Sequence, residues 1–328
     1  VVISDIDRGG TMAALVGTHA LLAEADRARV RGYLINKFRG DLSIFQPGID
    51  TITEVTGWPC VGVARWFSGA DRLPAEDSLA LERPADHGGR GLKVVAPRLS
   101  RVANFDDLDP LSAEPGVEVT WVNPGHPIPR DADVIVLPGS KVTRADLAQL
   151  CAEGWDLDIR AHVRGGGRVV GLCAGFQMLG RVVRDPDGVE GEPGETEGLG
   201  LLDIETVIGA DKRLVAIDGC DLRSGVRVAG YEMHMGRSWG PGLARPWLTL
   251  DMEDGPRDEG AVSPCGRVMG GYLHGIFSAD AFRAAWLTRV GAAASALDFE
   301  ARTEAALDDL ADHLEAELDL DALLTLAA

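Results

Sequence analysis

Short apolar runs closed by glycine, proline or aspartate recur along this chain, with amphipathic stretches between them. That rhythm predicts strands alternating with helices. Val1-Val2-Ile3-Ser4-Asp5 reads as a strand. Residues 12–28 read as a helix, with Ala14, Leu15, His19, Leu22 and Ala25 or Ala28 on one side at helical spacing. Gly32-Tyr33-Leu34-Ile35-Asn36 predicts a second strand, residues 45–56 a short helix, and Val61-Gly62-Val63-Ala64 a third strand. Such alternation implies a parallel sheet wrapped on both faces, an α/β fold.

Residues 82–91 are polar and rich in Gly and Pro, and read as a linker. A second alternation begins at Leu92-Lys93-Val94-Val95-Ala96 and continues through Val117-Glu118-Val119-Thr120-Trp121-Val122. Asp133-Val134-Ile135-Val136-Leu137 then ends in the turn Pro138-Gly139-Ser140. A helix is expected over residues 144–164, followed by a strand leading to Cys173. Residues 198–271 predict shorter strands and loops. From residue 300, Leu307, Leu310, Leu314 and Leu318 form a stripe opposite Asp308, Asp309, Asp312 and Glu315, the pattern of a packing helix without chemistry of its own. The expected organisation is therefore a first domain over 1–81, a linker over 82–91, and a second domain over 92–328 that includes the C-terminal helices. The opening residue is Val1, and Val1-Val2-Ile3 has the look of the middle of a buried strand, so a further N-terminal portion is expected.

Composition narrows the class. The 328 residues are 45% hydrophobic and 25% charged, ordinary for a globular chain. A formal net charge of -19 argues against nucleic acid as partner, because polyphosphate would be repelled. No apolar run reaches membrane-spanning length, so no membrane association is expected. The five cysteines, Cys60, Cys151, Cys173, Cys220 and Cys265, are scattered and form no C-x-x-C. A disulfide framework or a protein-only metal site is not expected, and a reducing cytoplasmic setting fits. Oligomeric state is not written in the pattern.

The strongest chemical signal is Gly171-Leu172-Cys173-Ala174-Gly175, set between an apolar run and Phe176-Gln177-Met178-Leu179-Gly180. Small residues around a nucleophile at a strand-to-helix turn follow the elbow logic of G-x-S-x-G, with sulfur in place of oxygen. A lone cysteine is more often a buried, inert one; the glycine frame reverses that reading. Such a nucleophile needs a base and a seat for developing negative charge. His274, in Gly271-Tyr272-Leu273-His274-Gly275, is the first candidate base and His234, in Tyr231-Glu232-Met233-His234-Met235-Gly236, the second. Either could instead be a core histidine. The oxyanion donors are expected at the backbone of Ala174 and in the turn containing Gly139. Gln177, one helical turn past Cys173, is suited to hold a polar amide.

Gly-x-Cys-x-Gly-x-Gln, with Leu137-Pro138-Gly139-Ser140 upstream and Tyr272-Leu273-His274-Gly275 downstream, resembles the class I glutamine amidotransferases. Ser4-Asp5-Ile6-Asp7-Arg8-Gly9-Gly10, Asn36-Lys37-Phe38-Arg39-Gly40-Asp41, Glu76-Asp77-Ser78-Leu79 and the Tyr231–Gly236 run narrow the resemblance to the cobyric acid synthases, over essentially the whole chain. The resemblance implies a flavodoxin-like amidotransferase domain preceded by the remnant of a P-loop-type parallel-sheet synthase domain related to dethiobiotin synthetase. It implies glutamine and a corrinoid as substrates, with ATP and Mg²⁺ at the synthase domain and no tightly bound cofactor. The implied reaction is amidation of the b, d, e and g carboxylates of adenosylcobyrinic acid a,c-diamide. Two rivals stand beside it: a cobyrinic acid a,c-diamide synthase, and a non-catalytic glutamine-binding or scaffolding module. Many class I members carry His-x-Glu, whose acid orients the base. Here His274 is followed by Gly275-Ile276, so a Cys–His dyad is expected, and Glu232 is one candidate for the orienting group.

In the first domain the chain contains no G-x-x-x-x-G-K-[ST] phosphate loop. Asp5 and Asp7, at a strand end, are candidates to approach Mg²⁺ or substrate, against the plainer reading of polar strand ends and a helix cap. Asn36 resembles the adenine-reading asparagine of related P-loop folds. Lys37 and Arg39 read as solvated charge by default.

Overall fold

The computed structural model describes residues 1–74 and 91–327. The Glu76-Asp77-Ser78-Leu79 motif, and all of the expected linker except Gly91, lie outside the described residues. Packing divides the chain into two units, Val1–Leu73 with Ala301–Ala328, and Pro74–Glu300.

The first unit is a three-stranded parallel sheet in the order Val2–Asp5, Tyr33–Phe38, Cys60–Arg65. Leu15 from the helix Thr11–Leu21 and Ile49 and Ile52 from the helix Leu42–Thr56 bury against Tyr33, Ile35, Phe38, Trp58 and Val63. The expected 12–28 helix is interrupted: Leu22 turns extended and packs at the core edge before the short helix Glu24–Arg27. Among the described residues Val2–Asp5 pairs with Tyr33–Phe38 on one side, and Ile3 is 66% exposed.

The expected assignment of the C-terminal helices to the second domain needs correction. Leu314, Leu318, Leu323 and Leu326, from the helices Phe299–Glu317 and Leu320–Ala327, pack on Leu34, Val61 and Ala64 of the first sheet. Arg65 pairs with Glu317 at 3.0 Å, and a β-bridge joins Gly62 to Leu318. The leucine stripe thus buries where the sequence pattern called for burial, but against the first unit.

The second unit is built on a six-stranded sheet. Its parallel strands lie in the order Val117–Val122, Leu92–Pro97, Val134–Leu137, Arg168–Leu172, Val268–Gly271, with Ala261–Val262 antiparallel at the edge. Numbered along the chain, the parallel strands run 2-1-3-4-5, the flavodoxin-like order, which places ligands beyond the carboxyl ends of the strands. Val134–Leu137 is buried at every position, as a central parallel strand must be. The expected 144–164 helix is two, Thr143–Ala152 and Trp155–Arg164, because Gly154 between them takes φ +75°. Residues 198–271 hold longer strands than the sequence pattern predicts. A second sheet is organised around Glu205–Asp221 and Arg227–Trp239, 17 and 13 residues long, and its edge includes Leu273–His274.

Candidate active site

The strand Arg168–Leu172 delivers Cys173 at the carboxyl end of the central sheet, and the helix Ala174–Leu179 starts directly after it. Cys173 has φ +51° and ψ −108°, a conformation that L-residues rarely adopt. The glycines on either side make that bend sterically feasible. A Cβ on Gly171 would lie 2.7 Å from the Gly175 backbone, and one on Gly175 would collide with the Leu137 carbonyl. The thiol is largely buried and its Sγ lies 3.5 Å from the Met233 carbonyl oxygen.

Across from it His274 is fully buried at the end of the neighbouring strands. Its Nδ1 bonds to Asp107 Oδ2 at 2.7 Å, and the Gly275 N–H donates to Asp107 Oδ1 at 2.6 Å, so both carboxylate oxygens serve the histidine segment. Nε2 is buried with no aligned hydrogen bond, and the Cys173 thiol is near enough to act on its titration. Burial disfavours the imidazolium, but the Asp107 bond, then the Cys173 interaction and both charges, outweigh it and push His274 up to about 10. Tyr231 stacks on the imidazole with ring centres 5.3 Å apart, and Asn104, held at φ +52°, donates to the Tyr231 hydroxyl at 2.8 Å. Asp109, beside this group, is raised to about 7 by burial and by the charges of Asp106 and Asp107.

Gly139 borders the pair. A Cβ there would reach 3.3 Å from His274 Cε1 and 2.9 Å from the Ala103 carbonyl oxygen. Ala174 follows the thiol as the first residue of the helix. Gln177 is 2% exposed and mostly engaged: Oε1 accepts from Thr143 Oγ1 at 2.9 Å, and Nε2 donates to Met235 O and the Tyr272 hydroxyl. One acceptor lone pair on Oε1 is left for a ligand. The Tyr272 hydroxyl continues the chain to Ser238 and Thr206, so Gln177 tethers the elbow to the second sheet.

Two sequence expectations need correction. His234 stacks on Tyr272, with ring centres 3.9 Å apart, and lines a cavity of about 680 Å³ together with Glu232, Phe176 and Glu259. Strand alternation explains its separation from the thiol–imidazole pair: Tyr231 faces His274, whereas Glu232 and His234 line the cavity. Glu232 does not orient His274. Its carboxylate is fully buried between Arg213, at 2.6 Å, and Arg257. The carboxylate bonded to His274 is instead that of Asp107, which stands as a third residue beside the expected pair.

In the first unit, parallel register sets Asp5 beside Asn36 at the strand ends. Lys37 Nζ donates to Asp5 at 2.8 Å and holds its carboxyl below the usual carboxylate range, while Arg39 Nε pairs with Asp7 at 3.1 Å. The Asn36 side-chain oxygen accepts from the Lys37 backbone N–H. Lysine occupies the position a cation would need at Asp5, and among the described residues no cluster of three or more acidic, His or Cys side chains could hold a metal. These residues alone do not fit Mg²⁺.

Sequence reasoning missed Asp107, Asn104 and the role of Tyr231. Tyr231 lies inside a motif already singled out; Asp107 carries no local signal, being one of three aspartates between residues 106 and 109 with nothing in the pattern to mark it.

Residues 93–282 match the model of the CobB/CobQ-like glutamine amidotransferase domain. Curated relatives named cobyric acid synthase include those of Paracoccus denitrificans (56% identical over 327 residues, 100% of this chain and 66% of the relative) and Cereibacter sphaeroides strain ATCC 17025 (54%, 100% and 67%). That of Caulobacter sp. strain K31 is 53% identical, covering 99% of this chain and 66% of the relative. The chain spans about two thirds of the length of these relatives. No helix among the described residues is long and apolar enough to cross a membrane.

Proposed function

The chain belongs to the cobyric acid synthase family through its CobB/CobQ-like glutamine amidotransferase domain, and from that premise we propose that Cys173, His274 and Asp107 release ammonia from glutamine. The Asp107–His274–Cys173 arrangement carries the reading. With His274 pushed up to about 10, the imidazolium persists at neutral pH, and its positive charge beside the Cys173 sulfur favours attack in the thiolate form. The thiolate attacks the side-chain amide carbon of glutamine, and the carbonyl electron pair moves onto oxygen. The backbones of Ala174, first in the helix after the thiol, and of Gly139, beside the His274 ring, are the ones assigned to that oxyanion in this reading. As the intermediate collapses, His274 Nε2 gives its proton to the leaving nitrogen, ammonia departs, and a thioester remains on Cys173. His274 then takes a proton from water, whose oxygen attacks the thioester and frees glutamate. Asp107 keeps the imidazole in one orientation and supports its charge throughout.

The liberated ammonia supplies the ATP-dependent amidation of corrinoid carboxylates, by analogy with the relatives' name, at the b, d, e and g positions of adenosylcobyrinic acid a,c-diamide. Nucleotide and Mg²⁺ would act in the synthase portion, to which Asp5, Asp7 and Asn36 belong without themselves making a Mg²⁺ site.

An electrophilic glutamine analogue tests the site directly. It is expected to label Cys173 stoichiometrically by mass spectrometry, with protection by glutamine. Glutaminase activity should fall at least about 10³-fold in Cys173→Ala. Labelling at any other residue, or unchanged hydrolysis in the variant, would remove the assignment.

A further inference from the structure

At the opposite end of the strand that carries Cys173, the second unit opens a small pocket of about 160 Å³. Arg168, Arg223, Arg267 and Arg289 line it, with Cys265 at its edge and Trp286 in its wall. Four guanidinium groups around so small a space is unusual in a chain of formal net charge -19. The carboxylate paired with them is that of Asp221, fully buried, with Oδ2 2.7 Å from Arg289. Arg223 donates to the Gly266 carbonyl at 2.9 Å and Arg168 to the Arg289 carbonyl at 3.4 Å, bonds that aim the guanidiniums without neutralising them. Arg267 Nε and Arg289 Nη1 are buried and have no hydrogen-bond acceptor.

A buried donor without an acceptor is costly, and guanidinium donors match tetrahedral oxyanions in paired geometry. One carboxylate against four cations leaves an excess of three positive charges. The volume admits one phosphoryl group and is too small for a whole nucleotide.

We propose that this pocket is a binding site for a phosphate-type oxyanion, held by Arg168, Arg223, Arg267 and Arg289. The anion's oxygens accept from the donors that the fold leaves unsatisfied, and its charge balances the excess. The source is either free inorganic phosphate or the terminal phosphate of a nucleotide whose remaining part stays outside. The site is separate from the Cys173 centre, which lies one five-residue strand away, about 17 Å.

Cys265 supplies a reporter. Its thiol is exposed, and its pKa is lowered chiefly by the Ser263 hydroxyl, with burial opposing and the Arg267 backbone and charge assisting. The 328-residue chain is treated with a limiting thiol-alkylating reagent and modification is read at each cysteine by mass spectrometry, with exposed Cys151 as internal reference. Millimolar inorganic phosphate is expected to slow alkylation of Cys265 at least threefold relative to chloride at equal ionic strength, with Cys151 unchanged. It should also raise the thermal midpoint. In Arg267→Gln and, separately, Arg223→Ala, whose side chain is exposed and whose loss spares the core, both effects should disappear while the fold persists by circular dichroism. ADP protecting at lower concentration than phosphate assigns the anion to a nucleotide; equal protection assigns it to free phosphate. The proposal fails if chloride protects as well as phosphate, if neither phosphate nor ADP protects, or if the Arg223→Ala chain keeps full protection.

Discussion

His274 is held by a carboxylate 167 residues away in sequence, and that distance sets what the residue can do. An acid two positions after the histidine would have moved with it; Asp107 instead arrives on a separate segment and bonds both the imidazole and the Gly275 amide. Asp107→Asn should therefore lower kcat for glutamine hydrolysis on the order of 10²-fold. The pH dependence follows from the direction of the shift. His274 is raised above its ordinary value of 6.5 to about 10, so the pair's contribution to stability is complete below pH 6.5 and is lost as pH rises through about 10. The acid form needed to protonate departing ammonia disappears over the same range. In Asp107→Asn the alkaline limb should move to lower pH, read from rate–pH profiles and thermal midpoints; an unchanged limb would contradict the orienting role. Cys173 and His274 were legible in the sequence because glycines and strand ends mark them. Asp107 was not, because its partner is a tertiary neighbour and the pattern around it is merely acidic. Glu232 looked plausible by proximity in a motif, yet strand alternation sends it to two arginines instead.

Among the elements, the segment carrying Asp107 and the segment carrying His274 are locked by one buried ion pair. Arg283, from the helix Asp280–Val290, bonds Glu114 at 2.7 Å, the Phe277 carbonyl at 2.9 Å and the Leu297 carbonyl at 2.8 Å. Glu114 follows the Asp107 turn, and Phe277 follows His274 by three residues. Glu114→Ala removes the buried carboxylate and leaves Arg283 only the part-exposed Asp280, at 2.7 Å, as counter-charge, and should cost about 3 kcal/mol. Denaturant unfolding would measure that loss, and Cys173 labelling by the glutamine analogue should slow as the Asp107–His274 contact loosens. Element type was readable from periodicity, since Val134–Leu137 and the elbow strand could only be buried. Element ends were less so. Gly154 divides a helix whose apolar period runs straight through it, and the long hairpin Glu205–Asp221 with Arg227–Trp239 looked like several short strands because glycines and charges punctuate it.

For the whole molecule, each unit closes a core of its own. Ile52 is fully buried in the first, among Tyr33, Ile35 and Trp58. Ile52→Ala should destabilise that unit by about 2–5 kcal/mol. Hydrogen exchange read by peptide should accelerate over residues 33–56 and stay unchanged over residues 168–180, with Cys173 labelling intact. Loss of labelling would show that the two cores are not independent. The two-domain plan was visible in the repeated alternation, and the central strand order agrees with the flavodoxin-like expectation. The destination of residues 301–328 was not, because an amphipathic stripe states that a helix is covered without stating by what. That destination governs the order of events during synthesis. The sheet face formed by Leu34, Val61 and Ala64 leaves the ribosome before residues 92–300, and the leucines that cover it follow them. That unit is therefore begun before the intervening one and finished after it, and a stop codon near residue 300 would strand it with a bare greasy face while leaving the intervening unit fully assembled.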